Sequence, residues 1–120
     1  MPDDELYCKV YVAGAADHAA LKALVAEVAR AGVHLRTVSA PPLEIDVFEQ
    51  SRHTPAEPGD DFVRWPAYLE IGASAADVDA EAFVAALARL LNGLRVRGLR
   101  VAAACDFEDA LAAAMQVPGN

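Results

Sequence analysis

Aromatic and charged side chains recur at every second position in four short segments of this 120-residue chain. Successive side chains of a β-strand point to opposite faces of a sheet, so each segment can present such residues on one face. We call the surface that these segments would form together the polar face, and its predicted members are Tyr7, Lys9, Tyr11, Phe48, Arg64, Tyr68, Glu70 and Arg100, with Glu44 and Asp46 beside Phe48 at an edge. All three tyrosines of the chain are included. Because tyrosine offers a large contact area at a small entropic cost, this composition is typical of a surface that binds a protein.

The polar face has two other interpretations. A solvent-exposed sheet is itself stabilised by aromatic and opposite-charge pairs between neighbouring strands, and this needs no partner. Alternatively, two copies of the chain could pack these faces together as a homodimer. RNA-binding sheets also stack bases on aromatic side chains, but the carboxylates and the net acidity of this chain disfavour that use.

The histidines offer little support for catalysis. His18, His34 and His53 are scattered, without the spacing of a metal site. His53 is the one catalytic candidate, because a histidine in a loop beside Arg52 and Glu57 can transfer protons. An ordinary loop residue is the simpler interpretation. The chain has no glycine-rich phosphate loop and no nucleophile motif, so we predict no cofactor, no metal and a non-catalytic role.

The two cysteines occupy the ends of the first and last predicted strands. If those strands are antiparallel neighbours, Cys8 and Cys105 lie opposite each other on the core side. Neighbouring Cα atoms across strands are about 4.5–5.5 Å apart, a spacing that permits a disulfide. The simpler interpretation is two small buried apolar residues.

Composition and charge narrow the choice of partner. The length fits one domain over residues 1–120, and the net charge is −8 with an isoelectric point near 4.7. Nucleic acid binding requires clustered lysine and arginine, so we expect no nucleic-acid partner. The negative charge permits a basic protein partner, and it also favours solubility.

The expected compartment follows from what the sequence lacks. No apolar run reaches the roughly 20 residues of a membrane helix, and the acidic first residues do not resemble a signal peptide. Two cysteines do not form a disulfide framework. We therefore expect a cytoplasmic protein without a membrane partner.

Apolar periodicity predicts the elements that position these residues. The predicted strands cover residues 6–13, 33–49, 62–73 and 98–105, the predicted helices cover 17–31 and 74–93, and a short helix covers 106–115. The second strand is interrupted by Pro41 and Pro42, and the predicted helix ends are at Gly32 and Gly93. Residues 50–61 form a polar loop, which we interpret as a mobile or functional segment.

The segment 62–73 is the best strand candidate, and we predict that it lies at the centre of the sheet. One of its alternating sets is wholly apolar and predicted to face the core: Val63, Trp65, Ala67, Leu69 and Ile71. Its other set is mixed, as in a sheet that is covered on one side only.

The element order βαββαβ resembles the ferredoxin-like fold, an α+β fold in which two helices cover one face of an antiparallel sheet. The resemblance covers residues 6–105, the expected ordered core. The handedness rule for crossovers then predicts the strand order 4-1-3-2, with the proline-containing second strand at an edge.

The fold hosts many unrelated functions, so function must come from the site. We expect an acidic, non-catalytic domain that binds a protein through the polar face, possible examples being a decoy or a toxin-neutralising protein. Two alternatives stay open: a small enzyme or ligand-binding domain with a pocket between the polar face and the loop 50–61, and a structural homodimer.

Overall fold

The computed structural model describes residues 6–49 and 65–116. The predicted loop 50–61 with His53, as well as Arg64, lies outside the described residues. In chain order the elements are β1 (Tyr7–Ala13), α1 (His18–Ala29), β2 (Val33–His34), β3 (Thr37–Ala40), β4 (Leu43–Glu49), β5 (Ala67–Ala73), α2 (Ala80–Val96), β6 (Arg100–Ala104) and α3 (Glu108–Met115). The fold is therefore mixed α+β, as the sequence predicts.

The strands form one antiparallel sheet with the order β2-β3-β4-β5-β1-β6. The ferredoxin-like topology and its four-stranded order 4-1-3-2 do not match, because the described ranges contain six strands and three helices. The difference arises in the predicted second strand. Its first part folds into the β2–β3 hairpin, and only its second part, β4, pairs with the central β5.

Pro41 and Pro42 form the turn between β3 and β4, joined to each other by a cis peptide bond. Ala40 pairs with Leu43 on either side of this two-residue turn. Proline lacks an N–H donor, but in the turn it removes no hydrogen bond from the sheet. β4 therefore lies inside the sheet, and the predicted edge position of the proline-containing strand is wrong.

Alternating side chains of β1, β3, β4 and β5 are buried against α1 and α2, which cover one face of the sheet. The buried sheet residues are Cys8, Val10, Val12, Val38, Leu43, Ile45, Val47, Ala67, Leu69 and Ile71. Phe83, Leu87 and Leu91 of α2 complete this cluster and are almost wholly buried. Each fully buried side chain of this size contributes about 1.5–3 kcal/mol of hydrophobic stabilisation.

Aspartate side chains define where the two long helices begin. Asp17 Oδ1 accepts a hydrogen bond from the Ala20 N–H at 2.8 Å and caps α1. Asp79 Oδ2 accepts from the Ala82 N–H at 3.1 Å, so α2 begins later than the position 74 that the sequence predicts. Such caps satisfy N–H groups that have no partner inside the helix.

The helix ends predicted at glycine are wrong, for different reasons. At the end of α1 the left-handed position, with φ 58°, is taken by Arg30 rather than Gly32. α2 continues past Gly93 to Val96, and Gly93 faces α1 instead of ending the helix. A Cβ atom at Gly93 would lie 2.5 Å from Cγ1 of Val28, so this glycine allows α1 and α2 to approach closely.

The short C-terminal helix α3 packs against α2. Phe107, just before α3, meets Phe83 edge to face with 5.9 Å between ring centroids, and Leu111 is buried. The side-chain amide of Asn92 donates to the Met115 carbonyl at 3.0 Å. None of the helices within residues 6–49 and 65–116 is long and apolar enough to cross a membrane.

We expect Gly93→Ala to destabilise the protein, although alanine favours a helix by about 1 kcal/mol over glycine. The added methyl group would overlap Val28, whose branched side chain has little rotamer freedom. Overpacking costs about 1–3 kcal/mol, so after the gain in helix propensity the free energy of unfolding should fall by up to about 2 kcal/mol. Urea unfolding followed by circular dichroism measures this change.

Gly32→Ala is the matched control, because a Cβ atom there meets nothing within 4 Å. It should leave the free energy of unfolding unchanged or raise it by a few tenths of a kcal/mol, since alanine restricts the unfolded chain. Equal effects of the two substitutions would contradict a close helix contact at Gly93.

Candidate functional site

Direct pairing across β4, β5 and β1 places the side chains of the polar face in two rows. The aromatic row consists of Phe48, Tyr68 and Tyr11, and the charged row consists of Asp46, Glu70 and Lys9. The rows are adjacent because their members are two positions apart on each strand. Three strands therefore bring together residues that are up to about 60 positions apart in the chain.

The aromatic row is in continuous contact. The rings of Phe48 and Tyr68 stack with their centroids 5.1 Å apart and an interplanar angle of 15°. The Tyr68 and Tyr11 rings are tilted by 49°, with centroids 6.3 Å apart. All three side chains are partly exposed. Aromatic pairs at these distances contribute about 0.5–1.5 kcal/mol beyond their burial, so the rings are held in place.

Two cations lie over the aromatic row. Lys9 Nζ lies 4.3 Å from the Tyr68 ring centroid and 5.1 Å from that of Tyr11. Arg36 Cζ lies 5.0 Å from the Phe48 ring centroid. Each ring attracts the cation through its quadrupole, which orders both groups. Arg36 was not predicted, because it lies in the turn of the unpredicted β2–β3 hairpin.

The three carboxylates of the polar face are Glu44, Asp46 and Glu70. Asp46 lies directly opposite Glu70, and like charges in this position destabilise a sheet. Asp46 Oδ1 accepts from the Thr37 hydroxyl at 2.6 Å, and Glu44 Oε1 accepts from the Ser39 hydroxyl at 3.2 Å. Within the two described ranges, none of the three carboxylates forms an ion pair with lysine or arginine. The polar face therefore presents negative charge that the described chain leaves unneutralised.

Tyr7 extends the polar face along β1. It pairs with Gly72, lies on the same face as Tyr11 and is 43% exposed. Partial burial raises the pKa of the Tyr7 hydroxyl, and the nearby Glu70 carboxylate raises this pKa further. The phenol is thus neutral at pH 7 and can donate a hydrogen bond from this surface.

Arg100 is the first residue of the edge strand β6. Its Cζ atom lies 4.8 Å from the ring centroid of Trp65. Trp65 is 5% exposed but is not part of the core cluster between the sheet and the helices. The predicted burial of Trp65 is therefore confirmed, but its side chain lies outside the cluster that packs against α1 and α2. The chain bends at Trp65 and Pro66 before β5 begins, so strand alternation does not extend back to Trp65.

The structure thus gathers six of the predicted site residues around β1, β4 and β5: Tyr7, Lys9, Tyr11, Phe48, Tyr68 and Glu70. Arg100 lies on the edge strand β6, opposite Ala13 of β1, while Arg64 and His53 lie outside the described residues. The binding role assigned to these side chains stays a prediction.

In the part of the chain that the structure describes, no group of three or more histidine, cysteine or acidic side chains could hold a metal ion. Comparison with protein-family models, curated proteins and solved structures finds no match for this chain. The functional inference therefore rests on the chemistry of the polar face itself.

We expect the Tyr7 hydroxyl to ionise above its ordinary pKa of 10.0, and Glu70→Gln to lower this pKa. The substitution removes a negative charge that opposes formation of the tyrosinate. Alkaline titration by tyrosinate absorbance measures the effect, and Tyr7→Phe identifies which transition belongs to Tyr7. Because the neutral phenol is favoured in the folded state, the Tyr7 contribution to stability is present below pH 10.0 and is lost as the pH rises through the folded-state pKa.

Glu44→Gln is the control for this titration, because it removes a carboxylate of the same face that does not contribute to the Tyr7 pKa. It should leave the Tyr7 transition in place. A Tyr7 transition that moves equally in both variants would indicate a general charge effect and contradict the specific Tyr7–Glu70 interaction.

Proposed function

We propose that the protein is a non-catalytic domain that binds a basic protein partner through the polar face. The observation that supports this proposal is the aromatic row, which lies beside three carboxylates that form no ion pair with a cation within the described residues. Lysine or arginine side chains of a partner would supply the missing counter-charges. The proposal extends to a cytoplasmic location, where disulfides are transient and free thiols such as those of Cys8 and Cys105 are returned to the reduced state.

The charged row favours a cationic ligand group near Asp46 and Glu70. A guanidinium or ammonium group between these two carboxylates would relieve their repulsion across the strands. Hydrogen bonds between charged groups are roughly twice as strong as neutral ones. The net charge of −8 would also attract a basic protein at long range and raise its association rate.

The aromatic row would supply contact area. Tyr11, Phe48 and Tyr68 are partly exposed and already ordered by their mutual contacts and by the cations over them. Binding therefore immobilises few additional rotamers, which lowers its entropic cost. Tyrosines at the centre of an interface often dominate its affinity.

The two alternative functions, a homodimer and an enzyme or small-molecule site, would use the polar face differently. A homodimer would cover the aromatic row with a second copy and bring together two surfaces of the same charge pattern. An enzyme or a small-molecule site would need a pocket closed by the loop 50–61, which lies outside the described residues. A decoy or toxin-neutralising protein is one form that the basic-partner hypothesis can take.

Light scattering over a dilution series separates the homodimer from the other two possibilities. We expect a mass near 12.7 kDa that does not change with concentration, because a free polar face is needed for a partner. A stable mass of twice this value that falls in the Tyr68→Ala variant would replace our proposal with the homodimer.

Binding is tested by titrating the isotope-labelled protein with an arginine-rich peptide and following its amide resonances. We expect shifts centred on β1, β4 and β5, and an affinity that falls as salt is added. The double variant Asp46→Asn, Glu70→Gln should weaken binding by about tenfold or more, since it removes both central charges. Tyr68→Ala should weaken it to a similar or greater extent.

The matched control is the double variant Glu81→Gln, Asp109→Asn. It changes the net charge by the same amount as the test variant, but on α2 and α3 instead of on the polar face. It should bind the peptide almost as the unaltered protein does. Equal weakening by both double variants, or shifts centred on the helices, would show attraction by net charge alone and refute a binding role for the polar face.

A further inference from the structure

Cys8 and Cys105 occupy facing positions at one end of the β1–β6 ladder. Lys9 pairs with Ala104 and Val10 with Ala103, so the next step of the same register brings Cys8 opposite Cys105. Cys105 directly follows the last residue of β6. Both cysteines belong to the core-facing side, where Cys105 packs against the cluster that contains Cys8.

The two thiols interact but differ in their access to solvent. Cys8 is 0% exposed, whereas Cys105 is partly exposed at the end of the strand. The pKa of the Cys8 thiol is raised, first by burial and next by its hydrogen bond with the Cys105 thiol. Cys105 is therefore the thiol that a reagent in solution reaches first, and Cys8 is the second thiol held beside it.

We propose that Cys8 and Cys105 form a thiol–disulfide exchange site that reacts with low-molecular-weight disulfides and closes to an internal Cys8–Cys105 disulfide. Directly opposite residues of antiparallel strands have Cα atoms about 4.5–5.5 Å apart, and disulfides span Cα distances of about 4.4–6.8 Å. The sheet thus holds the backbone at a bridging distance before any reaction. This proposal uses the core side of β1 and does not depend on the function of the polar face.

The reaction proceeds in two exchange steps. The Cys105 thiolate attacks one sulfur of a small disulfide, forms a mixed disulfide and releases one small thiolate. The Cys8 thiolate then attacks the Cys105 sulfur, forms the internal disulfide and releases the second small thiolate. The protein loses two electrons and two protons, and the small disulfide is reduced to two thiols. Because burial disfavours the Cys8 thiolate, the second step is the slower one.

The internal disulfide would join two residues near opposite ends of the described chain. A cross-link that closes so long a loop restricts the unfolded chain more than the folded one. The thermal unfolding temperature of the oxidised protein should therefore exceed that of the reduced protein by on the order of 10 °C. Adding a dithiol reductant should reverse this shift.

The test incubates the native protein with excess oxidised glutathione and records intact masses over time. We expect a glutathione adduct at Cys105 to appear first, followed by a species that lacks two hydrogens and carries no adduct. Cys8→Ala should stop at the adduct, because the second thiol is missing. Cys105→Ser should form neither product, because Cys8 is buried.

The matched control combines Cys105→Ser with Ala103→Cys, which moves the thiol to the position opposite Val10 on the same face. Its diagonal separation from Cys8, about 7–8 Å, exceeds what a disulfide spans. This variant should not form an internal disulfide. Circular dichroism confirms that each protein stays folded during the reaction. Any of three results would overturn the proposal. The unaltered protein could stay reduced, its glutathione adduct could fail to convert to the internal disulfide, or the displaced thiol could form a disulfide with Cys8 at the same rate.

Discussion

Antiparallel pairing between β1 and β5 is the constraint on which both sides of the sheet depend. Val10 pairs with Leu69 and both are fully buried, while the next pair, Tyr11 with Tyr68, points to the opposite side. A register shift of one residue would exchange the two faces and bring the aromatic rings into the core. The apolar packing of α1 and α2 against one face therefore also determines which side chains lie on the other face.

The polar face keeps an arrangement that stability alone does not favour. Asp46 opposite Glu70 places two like charges together, although Lys9 is close in the same row. The Lys9 ammonium group instead lies over the Tyr68 ring, so the two carboxylates stay without a counter-charge among the described residues. A sheet selected only for stability would place opposite charges in such pairs. This conflict between local stability and composition is the observation on which the proposed cationic partner rests.

Much of the polar face could be predicted from the sequence, because strand parity alone decides which side chains share a face. Features that depend on long-range packing could not. The two residues of β2 are too few to show a periodicity, so the hairpin and Arg36 were missed. Gly93 has the sequence pattern of a helix end, but its role is set by Val28 on another helix. Trp65 is buried as the alternation in sequence predicts, yet beside the bend at Pro66 it lies outside the cluster that packs against the helices.

The alternation of side chains along β1 places the Cys8 thiol and the aromatic row on opposite faces of the sheet. Cys8 is enclosed in the core, so a macromolecule bound to the polar face cannot touch its thiol. A small disulfide reaches the pair from the strand end at Cys105, away from the aromatic row. The two proposed activities can influence each other only if the backbone of β1 moves. Because the register already holds the two cysteines at a bridging distance, closing the disulfide requires little such movement, and the rows around Tyr11 and Tyr68 should keep their geometry in either redox state.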